Sequence, residues 1–328
     1  MRYNIICNDI VTGLNSLPEQ SVHTCITSPP YFQMRDYGFA KQIGLEDGPE
    51  AYVEKLVEAF KAVSRVLRSD GTLWVNIGDT CASQAYMTKN YGKIKPKDLI
   101  GIPFMLAFAM RADGWYLRSD IIWAKPNPLP GGVSDRPIAS HEYFYLFSKS
   151  DSYYYDVEAT KENATEISKD GTFKKRLKRD VWNVPVASFK GAHFAVFPPR
   201  LIEPCILAGT SEKGCCKMCK TPYTRIISKH RYATRPGRDN KIDKTGFANR
   251  DSGRHLTETT TEGWKKQCSC ATEEVVPCTV LDPFCGSGTT GVVSLQNNRH
   301  FIGVDGKKEY VKIAEKRLAN EQNILAED

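Results

Sequence analysis

The stretch Leu281-Asp282-Pro283-Phe284-Cys285-Gly286-Ser287-Gly288-Thr289-Thr290 decides the fold. Cys278 to Asp282 is a short apolar run of strand character that stops at a proline, passes two glycines and gives way to a helix-like stretch reaching about Asn297. His300 to Asp305 is another short apolar run, closing on an acid. From Lys307 to Asn320 the apolar residues Tyr310, Val311, Ile313, Ala314 and Leu318 are spaced as on a helix. The order is strand, glycine loop, helix, strand, acid. Glycines after a strand let backbone approach a ligand closely, and an acid ending the next strand, here Asp305, can accept hydrogen bonds from ribose hydroxyls. Alone, the loop is equally well explained as a tight strand-to-helix turn.

The other end of the chain continues the pattern. Tyr3 to Cys7 is strand-like and closes at Asn8-Asp9, residues 10–17 suit a short helix, and Val22 to Thr27 is a strand stopped by Ser28-Pro29-Pro30-Tyr31. If the two ends meet, βαβαβαβ runs through the junction. The expected fold is then α/β: a Rossmann-like, doubly wound mixed sheet, circularly permuted. The middle supplies an amphipathic helix over 50–67 that ends at Arg68-Ser69-Asp70-Gly71, a buried strand over 72–78, a helix at about 99–112 and a strand-like run from Tyr116 to Trp123. His141–Lys149 and Ser152–Tyr155 predict a hairpin. The stretches 80–98, 125–139 and 158–192 are too long for tight connections, and loops of that length are usually functional or disordered.

Hydrophobic residues make up 41% of the 328 and charged residues 25%, enough apolar material for a real core. No run of 18 apolar residues occurs and the first residues lack a signal-peptide pattern, so the expectation is a soluble, cytoplasmic protein that does not enter a membrane. The net charge of +7 is local: residues 211–266 hold 14 Lys or Arg against 6 Asp or Glu, leaving the remainder near neutral. That segment is turn-rich and poorly periodic, and reads as a loop-rich basic insert suited to a polyanion. Lys174-Lys175-Arg176 and Lys178-Arg179 form a second basic run, as easily a solvated face as a phosphate contact.

Eleven cysteines, an odd number, argue against a disulfide framework. Cys216 and Cys219 are separated by two residues and Cys268 and Cys270 by one. Four thiolates in two close pairs fit tetrahedral zinc, which would organise an insert with little core of its own. Cys215, His230 and His255 are reserve ligands.

Thr27-Ser28-Pro29-Pro30-Tyr31, with the glycine loop from Leu281 to Thr290, resembles the DNA amino-methyltransferases that use S-adenosylmethionine. With the Pro-Pro-Tyr motif first and the glycine loop last, the chain looks like the permuted beta class. The likeness extends to Ile6–Asp9 with Leu17-Pro18, to Arg65–Asp79, to Asp135-Arg136-Pro137 with His141-Glu142, and to His193–Pro198 with Leu201. Residues 80–98, 158–180 and 211–270 lie outside it.

The resemblance implies that Ser28 Oγ and the Pro29 carbonyl accept hydrogen bonds from an exocyclic amine, with Pro30 fixing the turn and Tyr31 stacking on an extruded base. Such an amine is a poor nucleophile until its lone pair is freed from the ring, and it then attacks the sulfonium methyl in line. For the cofactor the resemblance assigns Asp282, Phe284, Gly286, Gly288 and Thr289 to the methionine side and Asp305 to the ribose, where glutamate is commoner in the family; Asp9 and Phe194 are further candidates. Ser rather than Asp at 28 leans toward cytosine N4, with adenine N6 the alternative and a non-catalytic zinc-containing DNA-binding protein a third reading. A carbon-methylating enzyme would need a cysteine after proline in a loop beside the cofactor; Cys205 and Cys278 lie in a helix-like run and at a strand start instead. His141-Glu142 is no zinc-hydrolase motif, because position 145 is tyrosine; a structural hydrogen-bonding role is the expectation.

The expected division is a catalytic core over 1–157, a basic loop and candidate DNA contact over 158–192, core again over 193–210, the Cys-rich zinc-binding-like insert and candidate DNA-recognition segment over 211–270, and the cofactor-binding part over 271–328. Expected partners are DNA, a cognate restriction endonuclease and a second copy of the chain.

Overall fold

Helix and strand alternate as the hydrophobic periods dictate. In a computed structural model that describes residues 2–39, 41–82, 94–128, 133–167, 173–186, 197–235 and 254–327, β1 (Tyr3–Cys7) leads through α1 (Ile10–Asn15) to β2 (Val22–Thr27), and α2 (Pro49–Val66) leads to β3 (Leu67–Ile77). Then come α3 (Ile102–Ala112), β4 (Tyr116–Ala124), β5 (His141–Ser148), the short pair β6 (Glu162–Ile167) and β7 (Phe173–Arg176), β8 (Val181–Asn183) and α4 (Pro199–Gly209). The cysteine-rich segment contributes β9 (Cys215–Cys216), β10 (Thr224–Arg235), β11 (Arg254–Lys265) and β12 (Val275–Val276); β13 (Thr279–Asp282), α5 (Thr289–Gln296), β14 (His300–Asp305) and α6 (Lys308–Glu327) follow.

Eight strands form one mixed sheet in the order β1-β14-β13-β2-β3-β5-β4-β8. The first five are parallel, and β5 runs antiparallel between β3 and β4. The two ends of the chain do meet: β1 pairs with β14 from Tyr3↔Phe301 to Cys7↔Asp305. Side chains alternate across the sheet, so Cys25, Leu73, Val75, Phe147 and Leu281 join one core with α2 and α3, while Ile26, Trp74, Phe144 and Val280 join a second with α4, α5 and α6. The apolar face of α2, Tyr52, Val53, Leu56, Phe60 and Val63, is fully committed to the first core. Helices therefore cover both faces of the sheet. Among the described residues no helix is long and apolar enough to cross a membrane.

Three expectations are corrected. Residues 68–71 do not form a turn but belong to β3, whose register against β2 jumps from Val22↔Leu67 to Thr24↔Thr72; Gly71 fits there because a Cβ would lie 3.0 Å from the His23 carbonyl. Ser152–Tyr155 makes no hairpin with β5, both of whose edges are taken by β3 and β4; Tyr154 N–H instead donates to Asp70 O. The segment 211–270 contains a long antiparallel pair, β10 against β11, favoured by the β-branched residues Thr257, Thr259, Thr260 and Thr261.

Candidate active site

β13 and β2 are neighbours, but the chain leaves β13 toward β14 on one side and β2 toward β3 on the other. Open α/β sheets bind ligands at the carboxyl end of such a switch point, because the diverging connections leave a crevice. The glycine loop and the Ser-Pro-Pro-Tyr turn flank it.

One buried carboxylate ties the two motifs together. Thr27 Oγ1 donates to Asp282 Oδ1 at 2.7 Å, the Phe284 amide to the same oxygen at 3.1 Å, and Thr290 Oγ1 to Oδ2 at 2.6 Å. Burial pushes the Asp282 carboxyl up to about 6 against these hydrogen bonds. At 2% exposure, Asp282 shapes the loop from within. Gly286 and Gly288 take φ of +49° and +78°, which side chains with a Cβ rarely adopt, and a Cβ on Gly288 would lie 3.0 Å from Ala314 Cβ. Arg317 clamps the loop from α6, donating to Ser287 O at 2.7 Å and Thr289 Oγ1 at 3.2 Å.

Asp305 ends β14 beside the loop. Its Oδ2 accepts the Gly286 amide at 2.9 Å and its Oδ1 the Lys307 amide at 2.8 Å; burial raises its carboxyl. Each oxygen retains a lone pair for a further donor. Residues 36–39 fold over this strand end, with Phe39 so close to Gly306 that a Cβ there would lie 2.6 Å from the ring, next to an open cleft of about 520 Å³ lined by Asp36, Phe39, Gln42 and Glu46. Asp9 caps α1, accepting the Thr12 amide at 3.0 Å, and pairs with Lys41 at 2.9 Å; these two interactions hold its carboxyl down at about 2. Phe194 lies outside the described residues.

Tyr31 is anchored by its hydroxyl as well as offering a ring. The ring packs against Gly78, where a Cβ would come within 2.7 Å of it, and the hydroxyl donates to Glu142 Oε2 at 2.6 Å and lies 3.2 Å from Asn76 Oδ1. Burial, then the Glu142 charge, push the Tyr31 phenol well above its usual range, so it stays protonated. Asn76 Nδ2 donates to Glu142 Oε2 at 3.0 Å, and Lys125 Nζ bonds Glu142 Oε1. Pro30 O accepts the Tyr52 hydroxyl at 2.7 Å, which fixes the turn from α2. The hydrogen-bonding role expected of Glu142 thus has a partner, Tyr31. Sequence reading did not single out Asn76 or Lys125. Their signal was positional: Asn76 near the end of β3, Lys125 just past β4 and Glu142 at the start of antiparallel β5 all fall on the edge that carries Ser28.

The Sγ atoms of Cys216, Cys219, Cys268 and Cys270 all lie within 4.8 Å of one another. This knot sits at the opposite end of the sheet from Ser28, against the starts of β2 and β3. Arg68 of β3 donates to Cys219 O at 2.8 Å, and His23 of β2 bonds Lys220 O at 2.8 Å through Nε2 while its Nδ1 accepts the Thr279 amide at 3.0 Å. With both ring nitrogens engaged, His23 is a brace and no metal ligand, although Cys215 and Cys278 lie beside it. From this base the β10–β11 hairpin runs past residues 156–161, where Arg225 pairs with Asp156 at 2.9 Å and Lys161 bonds Thr259 at 2.9 Å. In the basic run at 174–179, Arg176 and Lys178 are turned toward Glu162 at 2.8 and 3.5 Å.

A glycine loop and a Ser-Pro-Pro-Tyr turn thus stand side by side at the switch point, the place where open α/β sheets bind their ligands. A DNA methylase family model matches residues 22–217 and 254–316. The chain is 40% identical over 329 residues to the Type II methyltransferase M.Cfr9I of Citrobacter freundii, covering 95% of this chain and 86% of that protein, and 37% identical over 330 residues to M.SmaI of Serratia marcescens, covering 96% and 90%. Its fold is similar to that of PvuII DNA methyltransferase (cytosine-N4-specific), with a TM-score of 0.60 and 18% identity over 99% of this chain and 91% of that one. The chain belongs to the S-adenosylmethionine-dependent DNA amino-methyltransferases.

Proposed function

We propose that the chain transfers a methyl group from S-adenosylmethionine to the N4 amine of cytosine at specific sites in DNA. The observation that carries the reading is the Thr27–Asp282 hydrogen bond, which holds the Ser28-Pro29 acceptors beside the glycine loop. Ser28 Oγ and Pro29 O draw the amine hydrogens out of the base plane, and Tyr31 supports the extruded base. The bound cofactor supplies an electrophilic methyl. Left-handed Gly286 and Gly288 let the backbone close on its methionine side, flanked by Phe284 and Thr289; Asp305 has lone pairs for the ribose; Asp9 and Phe194 complete the candidate set, and Asp282 acts through the loop. Serine at 28 favours cytosine over adenine N6.

The reading extends to the permuted-class description, which the β1–β14 pairing supports, and to the segment division: core over 1–157, 193–210 and 271–328, candidate DNA contacts over 158–192 and 211–270. One structural zinc ion on Cys216, Cys219, Cys268 and Cys270 belongs to it. Four thiolates are the donor set zinc prefers, and tetrahedral Zn–S bonds put sulfurs about 3.8 Å apart, compatible with the observed cluster. Likeness to Type II methyltransferases supports a cognate restriction endonuclease as partner; a homodimer and a cytoplasmic, DNA-associated setting complete the reading. The test is Ser28→Ala assayed with tritiated S-adenosylmethionine and DNA. Methyl transfer is expected to fall by orders of magnitude with cofactor affinity retained; unchanged transfer would refute the assignment.

A further inference from the structure

A serine can accept a hydrogen bond from an amine only if its own hydrogen points elsewhere. Ser28 Oγ lies 3.4 Å from the Tyr31 hydroxyl, and within hydrogen-bond reach of that hydroxyl are two further oxygens, Glu142 Oε2 at 2.6 Å and Asn76 Oδ1 at 3.2 Å. Tyr31 has one proton, and the short contact to a carboxylate takes it. Its oxygen is then left as an acceptor on the side of Ser28. The Glu142 carboxylate is fixed in turn by Lys125 on Oε1 and by Asn76 Nδ2 on Oε2 at 3.0 Å, so it can only accept.

We infer that Glu142 is a positioning residue that sets the direction of the chain Ser28→Tyr31→Glu142, so that Ser28 turns a lone pair, and not its hydrogen, toward the target amine. This rests on the reading of the target as an exocyclic amine. No proton leaves Ser28 and no bond is made or broken in the chain; its role is to remove the wrong hydroxyl rotamer before the amine arrives. At 3.4 Å the Ser28–Tyr31 link is at the long end of hydrogen bonding, and such bonds tighten in the reacting complex. Lys125 and Asn76 are part of the device because they hold the carboxylate in one place.

Glu142→Gln tests it, because glutamine has the same shape but two ends of opposite character. Lys125, a full cation, holds the amide oxygen against the neutral Asn76 Nδ2 on the other side, so the NH₂ faces Tyr31 and removes the carboxylate acceptor that fixed the direction of its proton. The expected result is a fall in kcat of about ten- to hundredfold, with KM for DNA and cofactor affinity unchanged. Combining Glu142→Gln with Lys125→Met frees the amide to turn its oxygen to Tyr31, and part of the lost kcat should return. Tyr31→Phe removes only the hydroxyl; it should slow turnover alone and make Glu142→Gln nearly silent when the two are combined. Full activity of Glu142→Gln, losses that multiply independently with Tyr31→Phe, or a Lys125→Met combination slower than Glu142→Gln alone would overturn the inference. If a variant fails to bind cofactor, Tyr31→Phe decides: normal kcat refutes the chain. Wild-type protein that methylates no amine refutes the parent reading instead, which separates the two failures.

Discussion

Gly78 shows how one atom's worth of space positions the Tyr31 ring. A Cβ there would lie 2.7 Å from the Tyr31 ring, and Tyr31 is tethered at its hydroxyl, so it cannot simply slide away. Gly78→Ala should therefore reduce methyl transfer at least about tenfold while S-adenosylmethionine binding, measured calorimetrically, stays within about twofold of wild type, since overpacking is a local strain of about 1–3 kcal/mol. Equal loss of both would mean that the ring is not the element displaced. Asp9 offers a pH test. Its folded carboxyl lies at about 2 against an ordinary 3.8, so the stability it confers is fully present above about 4 and lost as pH falls toward 2. Asp9→Asn keeps a cap acceptor and should flatten stability against pH in that window, read by denaturant unfolding at stepped pH. That Ser28, Tyr31, Asp282 and Asp305 fall at strand ends was legible in the sequence because each closes or follows a contiguous apolar run. What Asp282 and Glu142 touch was not, since Thr27, Tyr31 and Lys125 reach them only through strand pairing.

At the level of elements, the cysteines and basic charge of segment 211–270 were legible, but not a strand pair fastened to the end of the sheet away from Ser28. The spacing of Cys216, Cys219, Cys268 and Cys270 is local information; the brace by Arg68 and His23 is not, because both sit on strands far away in sequence. The same distinction explains the absent hairpin after β5, whose edges are occupied by partners that alternation within residues 141–155 cannot reveal. Because the knot is joined to β2 and β3, a metal there should support the core as well as the hairpin. Elemental analysis should find one zinc per chain. Cys219→Ser together with Cys268→Ser should remove it, lower Tm by roughly 5 °C or more, and weaken DNA binding more than cofactor binding. Active, metal-free protein, or a double variant with unchanged Tm and DNA affinity, would contradict the zinc assignment.

On the scale of the whole molecule, the chemistry follows from topology. The parallel run β1-β14-β13-β2-β3 brings a motif near residue 28 and another near residue 285 to adjacent strand ends, and the meeting of β1 with β14 makes one continuous parallel sheet of the two chain ends. That grammar of strand, turn and helix could be read locally at both ends, which is why the layered architecture was legible while the antiparallel half beyond β3 was only partly so. The central claim is the atom that receives the methyl group. The most direct measurement is to incubate purified protein with DNA and S-adenosylmethionine carrying a deuterated methyl group, digest the DNA to nucleosides and analyse them by mass spectrometry. The account predicts label in N4-methyldeoxycytidine, absent with Ser28→Ala; label in N6-methyldeoxyadenosine or in 5-methyldeoxycytidine would contradict it.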